Sequence, residues 1–133
     1  MVSNNSRTNQ SPHQWIYQQT AEFSDLLGIN LPQIKIVGLD LDAEQEIGGY
    51  DEYSGGHSKG LAIKAEHKII IRPTRAPYRA LAINSTRYTI AHELIHLKYP
   101  RLNHGAEFDR RTNALVEKWK EKKKKKQEDS IGR

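Results

Sequence analysis

The chain has 133 residues, 36% of them hydrophobic and 28% charged, which suits one modest soluble domain and excludes a wholly disordered chain. It has no cysteine, so disulfides and thiolate metal ligands are excluded, and no apolar run approaches the length that spans a bilayer. The net charge of +5 is uneven: positions 118 to 133 hold eight cations against three acids, so the preceding residues are formally neutral.

Residues 1 to 11 are polar and read as a disordered N-terminus. They lack the apolar stretch of a signal peptide, so a cytoplasmic location with no membrane association is expected. Ser11-Pro12 forms a good helix start, with Ser as N-cap and Pro in the first turn. Ile16, Thr20, Phe23 and Leu27 then recur at helical spacing, and Gly28 and Pro32 provide the stop. The first helix is expected over about 12 to 27. His13 belongs to its start.

Gln33 to Leu41 alternates apolar and polar residues and reads as a strand. Residues 42 to 58 hold Gly48, Gly49, Gly55 and Gly56 among Tyr50, Tyr53 and His57. A connection of that length is unusual in a small domain and often functional. Lys59 to Lys64 and Lys68 to Arg72 are short apolar runs around Ala65-Glu66-His67, a β-hairpin pattern. Asn84 or Ser85 can cap the next helix, which runs to about Lys98 and stops at Pro100. A last helix is expected from Gly105 to about Lys122, with Phe108, Thr112, Leu115 and Trp119 as its core stripe. The lysines beyond have no apolar face, so the helix is expected to fray there.

The penultimate helix carries His92-Glu93-Leu94-Ile95-His96, an HExxH motif. Two histidines four apart share one helix face, so both imidazoles can reach one ion. Glu93 lies beside them, where it can act as general base on a metal-activated water. Ala91, Leu94 and Ile95 would bury the opposite side. Catalytic zinc takes three protein ligands and keeps one position open. His104, eight residues past His96, is the strongest third ligand; Glu107 is the reserve, and Asp109 ranks below it. Tyr50, Tyr53, His57 and Tyr99 are candidate donors to a negative tetrahedral intermediate. The implied chemistry is hydrolysis of a peptide bond, with one zinc ion per chain.

His92-Glu93-Leu94-Ile95-His96-Leu97 followed by Asn103-His104-Gly105-Ala106-Glu107-Phe108 resembles the SprT-like and YgjP-like zinc metallopeptidases. The resemblance implies an α+β, minimal zincin-like domain. It would have an N-terminal helix, a small mostly antiparallel three-stranded sheet, the HExxH helix and a C-terminal helix. On the same resemblance, His92, His96 and His104 would be zinc ligands, Glu93 the catalytic base and Phe108 a core anchor. The chain lacks the cysteine-rich zinc ribbon of some relatives, and its spacing does not fit metzincins.

The expected organisation is thus a disordered N-terminus (1–11), a peptidase domain (12–120) and a basic flexible tail (121–133). The expected partner is a protein or peptide substrate. Some members of the resembling family act on DNA–protein crosslinks, and the run Lys122, Lys123, Lys124, Lys125 and Lys126 is a candidate DNA contact. The competing reading is a nucleic-acid-binding module with a structural metal site. Most basic runs of this kind are simply solvated.

Overall fold

The first helix forms where its apolar residues recur one turn apart. In the computed structural model, which describes residues 14–37, 50–51, 56–57, 59–73 and 79–131, it is α1, Trp15–Leu27. Ile16, Thr20 and Phe23 are buried. Thr20 belongs in that stripe because its hydroxyl donates to the Ile16 carbonyl at 2.8 Å, which satisfies the polar group inside the core. Gly28 ends the helix at φ 72°, a left-handed conformation that favours glycine. Its N–H bonds the Asp25 carbonyl at 3.2 Å and that of Ile29 bonds Ser24 at 3.1 Å, the paired bonds of a Schellman cap. The expected Ser11-Pro12 cap and His13 lie outside the described residues.

Strand β1 is Gln33–Ile36. A two-stranded antiparallel ribbon follows, β2 (Tyr50–Asp51) and β3 (Gly56–His57). The hairpin expected next is β4 (Gly60–Ile63) and β5 (Lys68–Ile71), joined by a 3-10 turn over Lys64–Glu66. His67 closes the turn at φ 50°, and its Nε2 lies 2.7 Å from the Asn30 carbonyl oxygen. That contact explains a histidine in a turn without any chemistry.

The three-stranded sheet has the order β1-β5-β4. β4 and β5 are antiparallel, whereas β1 lies parallel to β5 with Ile34 opposite Ile69 and Ile36 opposite Ile71. The sheet is therefore mixed, not mostly antiparallel as expected. The reason lies in β5. Ile69, Ile70 and Ile71 form a continuous apolar run, and all three are buried, the pattern of a central strand covered on both faces. Such a strand needs a neighbour on each edge. β1 supplies the second, held at its ends by Gln33 N–H to the His67 carbonyl and Val37 N–H to that of Ile71, both 3.0 Å.

Helix α2, Arg79–Lys98, carries the HExxH motif, and α3 is Ala106–Ile131. α2 begins five residues or more before the expected caps. Asn84 and Ser85 lie within it, where their side-chain oxygens accept bonds from Arg87 at 3.0 Å and Lys59 at 3.3 Å. With those partners they need not cap, and Ala80, Leu81 and Ala82 extend the helix backwards. α3 likewise runs past Lys122 instead of fraying there. Lys and Glu propagate helix well, and Lys122 and Lys123 approach Asp25 and Glu22 of α1 at 3.7 and 3.4 Å. The basic segment is thus part of a helix.

The core joins α1, α2, α3 and one face of the sheet through Ile16, Phe23, Ile69, Ile71, Ile90, Leu94, Ile95, Phe108 and Leu115. At its rim the Arg87 guanidinium lies 4.4 Å from the Trp119 ring and donates to Gln19 at 2.7 Å, linking all three helices. The Trp119 indole N–H donates to Glu22 at 2.7 Å. Among the described residues, no helix is long and apolar enough to cross a membrane. The chain is α+β in class.

Candidate metal centre

The spacing of four in α2 places His92 and His96 on one face, their ring centroids 4.9 Å apart. After Lys98 the chain must reverse to bring back a third ligand. Pro100 cannot continue the helix, and the Leu102 N–H bonds the Tyr99 carbonyl at 3.0 Å to make the turn. His104 follows, with its ring 5.0 Å from His92 and 4.7 Å from His96. Gly105 stands at φ 154°, where a side chain is disfavoured, and lets α3 start immediately after the histidine. The ligand nitrogens of His92, His96 and His104 all lie within 4.8 Å of one another. Three histidines are therefore close enough to hold one metal ion.

The geometry of the nitrogens fits a cation. His96 Nε2 and His104 Nε2 face each other at 2.8 Å. Two neutral imidazoles share that approach when one N–H donates to the other's lone pair, a proton that a bound cation would displace. The donor set, three histidines without cysteine, matches that of catalytic zinc sites. Burial is the largest cause that pushes the His92 imidazole down to about 4, with the neighbouring His104 adding to it and Asp109 opposing it. Burial and the charges of His92, His104 and Lys64 take His96 to about 4 as well. Both rings are neutral at pH 7 and keep a lone pair for an ion.

Phe108 is the platform under the site. It is fully buried, and its ring lies 4.6, 4.4 and 5.1 Å from His92, His96 and His104. Phe108→Ala is expected to cost about 3–5 kcal/mol by opening a core cavity. Urea denaturation measures it, and a loss under about 1 kcal/mol would show that the ring is not a core element. The Thr112 hydroxyl bonds the Phe108 carbonyl at 3.0 Å, one turn on.

Glu93, the residue after His92, packs against the sheet. It is 6% exposed, and burial alone pushes its carboxyl up to about 8. Its neighbour is Gly60 at the start of β4. A Cβ at that position would stand 2.9 Å from Glu93 Oε2 and 2.9 Å from the Thr89 methyl. The glycine is there for space, so that the strand can lie flush against the carboxyl group. An isolated glycine opening a strand pattern was the signal for this close approach.

The other expected site residues divide. Glu107, the reserve ligand, is not brought to the triad. Its carboxylate accepts from Arg110 at 2.6 Å and lies 2.7 Å from Arg111. Those i,i+3 and i,i+4 pairs hold it on the flank of α3. We expect His104→Ala to weaken zinc binding by at least about a hundredfold, whereas Glu107→Gln leaves it within about twofold. Competition with a chromogenic chelator measures both, and the reverse order would reassign the ligand. Tyr99 carries the Arg111 guanidinium over its ring at 4.3 Å, so one face is already covered. Tyr50 and His57 are paired across the β2–β3 ribbon, and their side chains, like all of Tyr53, lie outside what is described. Lys122 and Lys123 are engaged with α1, and Lys124, Lys125 and Lys126 are exposed.

One neighbour of the centre, Tyr88, was not singled out from the sequence, whereas Asp109 stood there as the lowest-ranked ligand candidate. Tyr88 lies one turn before His92, and Asp109 follows Phe108. Burial, and after it the Asp109 charge, raises the Tyr88 hydroxyl, and the same charge supports a proton on His92. A cavity of about 290 Å³ lies elsewhere, between α1 and α3 around Glu22, Asp25, Trp119 and Lys126. It shares no residue with the triad. Comparison with protein-family models, curated proteins and solved structures returns no match for this chain.

Proposed function

We propose that the chain is a zinc-dependent peptide hydrolase, of the kind that the SprT-like and YgjP-like resemblance implies. The observation that carries this reading is the convergence of His92, His96 and His104, with the carboxyl of Glu93, the residue after His92, buried. His92, His96 and His104 would hold the ion. A bound zinc ion supplies Lewis acidity, which polarises a carbonyl and makes water acidic near neutral pH.

The side chains of this protein supply the rest. Glu93 is not needed as a ligand, so its place beside the histidines favours a role in proton transfer. Its carboxylate takes a proton from the attacking water and delivers it to the leaving nitrogen. Burial holds the proton on Glu93 up to about pH 8 in the metal-free site. A nearby divalent charge favours the carboxylate, so ion binding and readiness to accept a proton go together. Phe108 keeps the three rings in place while this happens.

A polypeptide suits the site better than a small molecule because of the sheet. Among the described residues, β4 has a paired neighbour on one edge alone, β5. An extended peptide can pair with the other edge by main-chain hydrogen bonds. It would pass Gly60, the residue packed against Glu93. The nucleic-acid reading has less support, since two of the five consecutive lysines already face Glu22 and Asp25.

The test is metal analysis with a proteolysis assay on an unfolded protein such as casein. About one zinc per chain, and cleavage abolished by a chelator and restored by zinc, are expected. Cleavage indifferent to zinc, or a loaded protein that cuts nothing, would refute the hydrolase.

A further inference from the structure

Strand β4 follows helix α2 in a fixed register. Before the strand, Lys59 Nζ donates to Ser85 Oγ at 3.3 Å. Gly60 then meets Thr89 and Glu93. After the strand, Lys64 Nζ donates to the Pro100 carbonyl at 2.7 Å. Strand and helix thus run side by side in the same direction, and the two lysines bracket the stretch that borders the site. At about 3.3 Å per residue, their backbones stand roughly 16 Å apart.

Lys64 opens the 3-10 turn just past the strand, and its bond to the Pro100 carbonyl sets its ammonium at the end of α2. Both lysines are exposed, and each ammonium has three donors and one described acceptor.

The surrounding charges do not cancel them. Lys98 and Arg101 are exposed near Pro100, at the Lys64 end. Glu66 is exposed in the turn after Lys64. Glu107 is occupied by Arg110 and Arg111, and Asp109 is exposed on α3. A peptide on the β4 edge would therefore meet a cation at each end of its bound segment.

We propose that Lys64 and Lys59 are specificity-determining residues that select acidic side chains on either side of the scissile bond, so that the substrates are acidic polypeptide segments. This rests on the hydrolase reading above. An exposed ion pair shifts an equilibrium by up to about fivefold. Reversal of one lysine exchanges attraction for repulsion, so about tenfold is expected from Lys64→Glu.

The experiment uses two labelled peptides with the same central sequence, flanked by Glu and Asp in one and by Lys in the other. The full chain, loaded with zinc, should cut the acidic peptide with the higher kcat/KM. Lys64→Glu should lower that value about tenfold and raise it for the basic peptide, and Lys59→Glu should act the same way more weakly. The preference should fade at about 0.5 M salt, where exposed charges are screened. Zinc content unchanged in both variants separates selection from damage to the site. Equal kcat/KM for the two peptides, or a preference that neither reversal alters, overturns the proposal. If the wild type cuts neither these peptides nor casein, the hydrolase reading fails. Where neither peptide is cut, charge selection is decided by fluorescence anisotropy with the same peptides: tighter binding of the acidic one, weakened by Lys64→Glu, upholds it, and equal affinities overturn it.

Discussion

Replacing Glu93 by Gln is expected to lower the proposed peptide hydrolysis by roughly 10²–10⁴-fold, the usual contribution of a positioned base, and to leave zinc binding intact. The same substitution makes the metal-free protein more stable at pH 8 than the wild type. The two effects share a cause. Glu93 is buried beside Gly60 and Thr89 with nothing described there to neutralise its charge, and its carboxyl is raised from 4.5 to about 8. The unfolded chain ionises this group near 4.5, whereas the metal-free fold resists ionisation until about 8. Its contribution to stability is therefore complete below pH 4.5 and is lost as pH rises through 8, on the order of 5 kcal/mol in all. Gln has nearly the same shape and no charge, so it escapes the loss. Urea denaturation of chelator-treated wild type and variant at pH 5 and pH 8.5 reads the difference directly. His92 and His96, whose neutral forms the fold favours, lose stability in the opposite direction as pH falls from 6.5 towards 4. They are common to both proteins and cancel in the comparison. Undiminished hydrolysis would remove Glu93 from the mechanism, and a gap that does not widen with pH would remove its burial as the cause.

Gly60→Ala is the second large effect. The added methyl would stand 2.9 Å from Glu93 Oε2 and 3.0 Å from its Cγ. Carbon atoms do not pack that closely, so the carboxyl group or the strand must move. Overpacking of this kind costs about 1–3 kcal/mol, and a displacement of about 1 Å at a reacting group can cost about a hundredfold in rate. The expected result is a drop in kcat of that order, with zinc content preserved because the histidines lie elsewhere on the helix. Measuring kcat, bound zinc and the thermal midpoint on the same preparation separates the contributions. Full activity with a normal midpoint would show that the contact relaxes without consequence.

The metal centre was largely legible before any fold was known, because its logic is local. A spacing of four on a helix brings two rings to one face whatever the helix packs against. A proline and a glycine around His104 announce a turn. Glu107 was harder, since as a bare residue type it serves equally well as a ligand. Its neighbours Arg110 and Arg111, at i,i+3 and i,i+4, carry the local signal that it is paired. The start of α2 was misread for a similar reason. Asn84 and Ser85 look like caps, but their partners are a side chain one turn on and Lys59 of the preceding segment. The length of α3 was underestimated because an apolar stripe was taken as a requirement for helix, when good helix formers and contacts to α1 suffice.

By itself, the sequence determined the α+β class, α1 with its glycine stop, the β4–β5 hairpin, and the identity of His92, Glu93, His96 and His104. Each depends on residues close in the chain, through helical periodicity, strand alternation or a turn. The direction of β1 against β5, the approach of Gly60 to Glu93, and the alignment of Lys59 and Lys64 beside α2 were decided by tertiary structure alone. These contacts join segments from about 26 to 36 residues apart in the chain, and no local period records which partner a strand edge or a glycine will meet. The HExxH motif located two of the three converging histidines, but only the packing of β4 on α2 showed what stands beside Glu93.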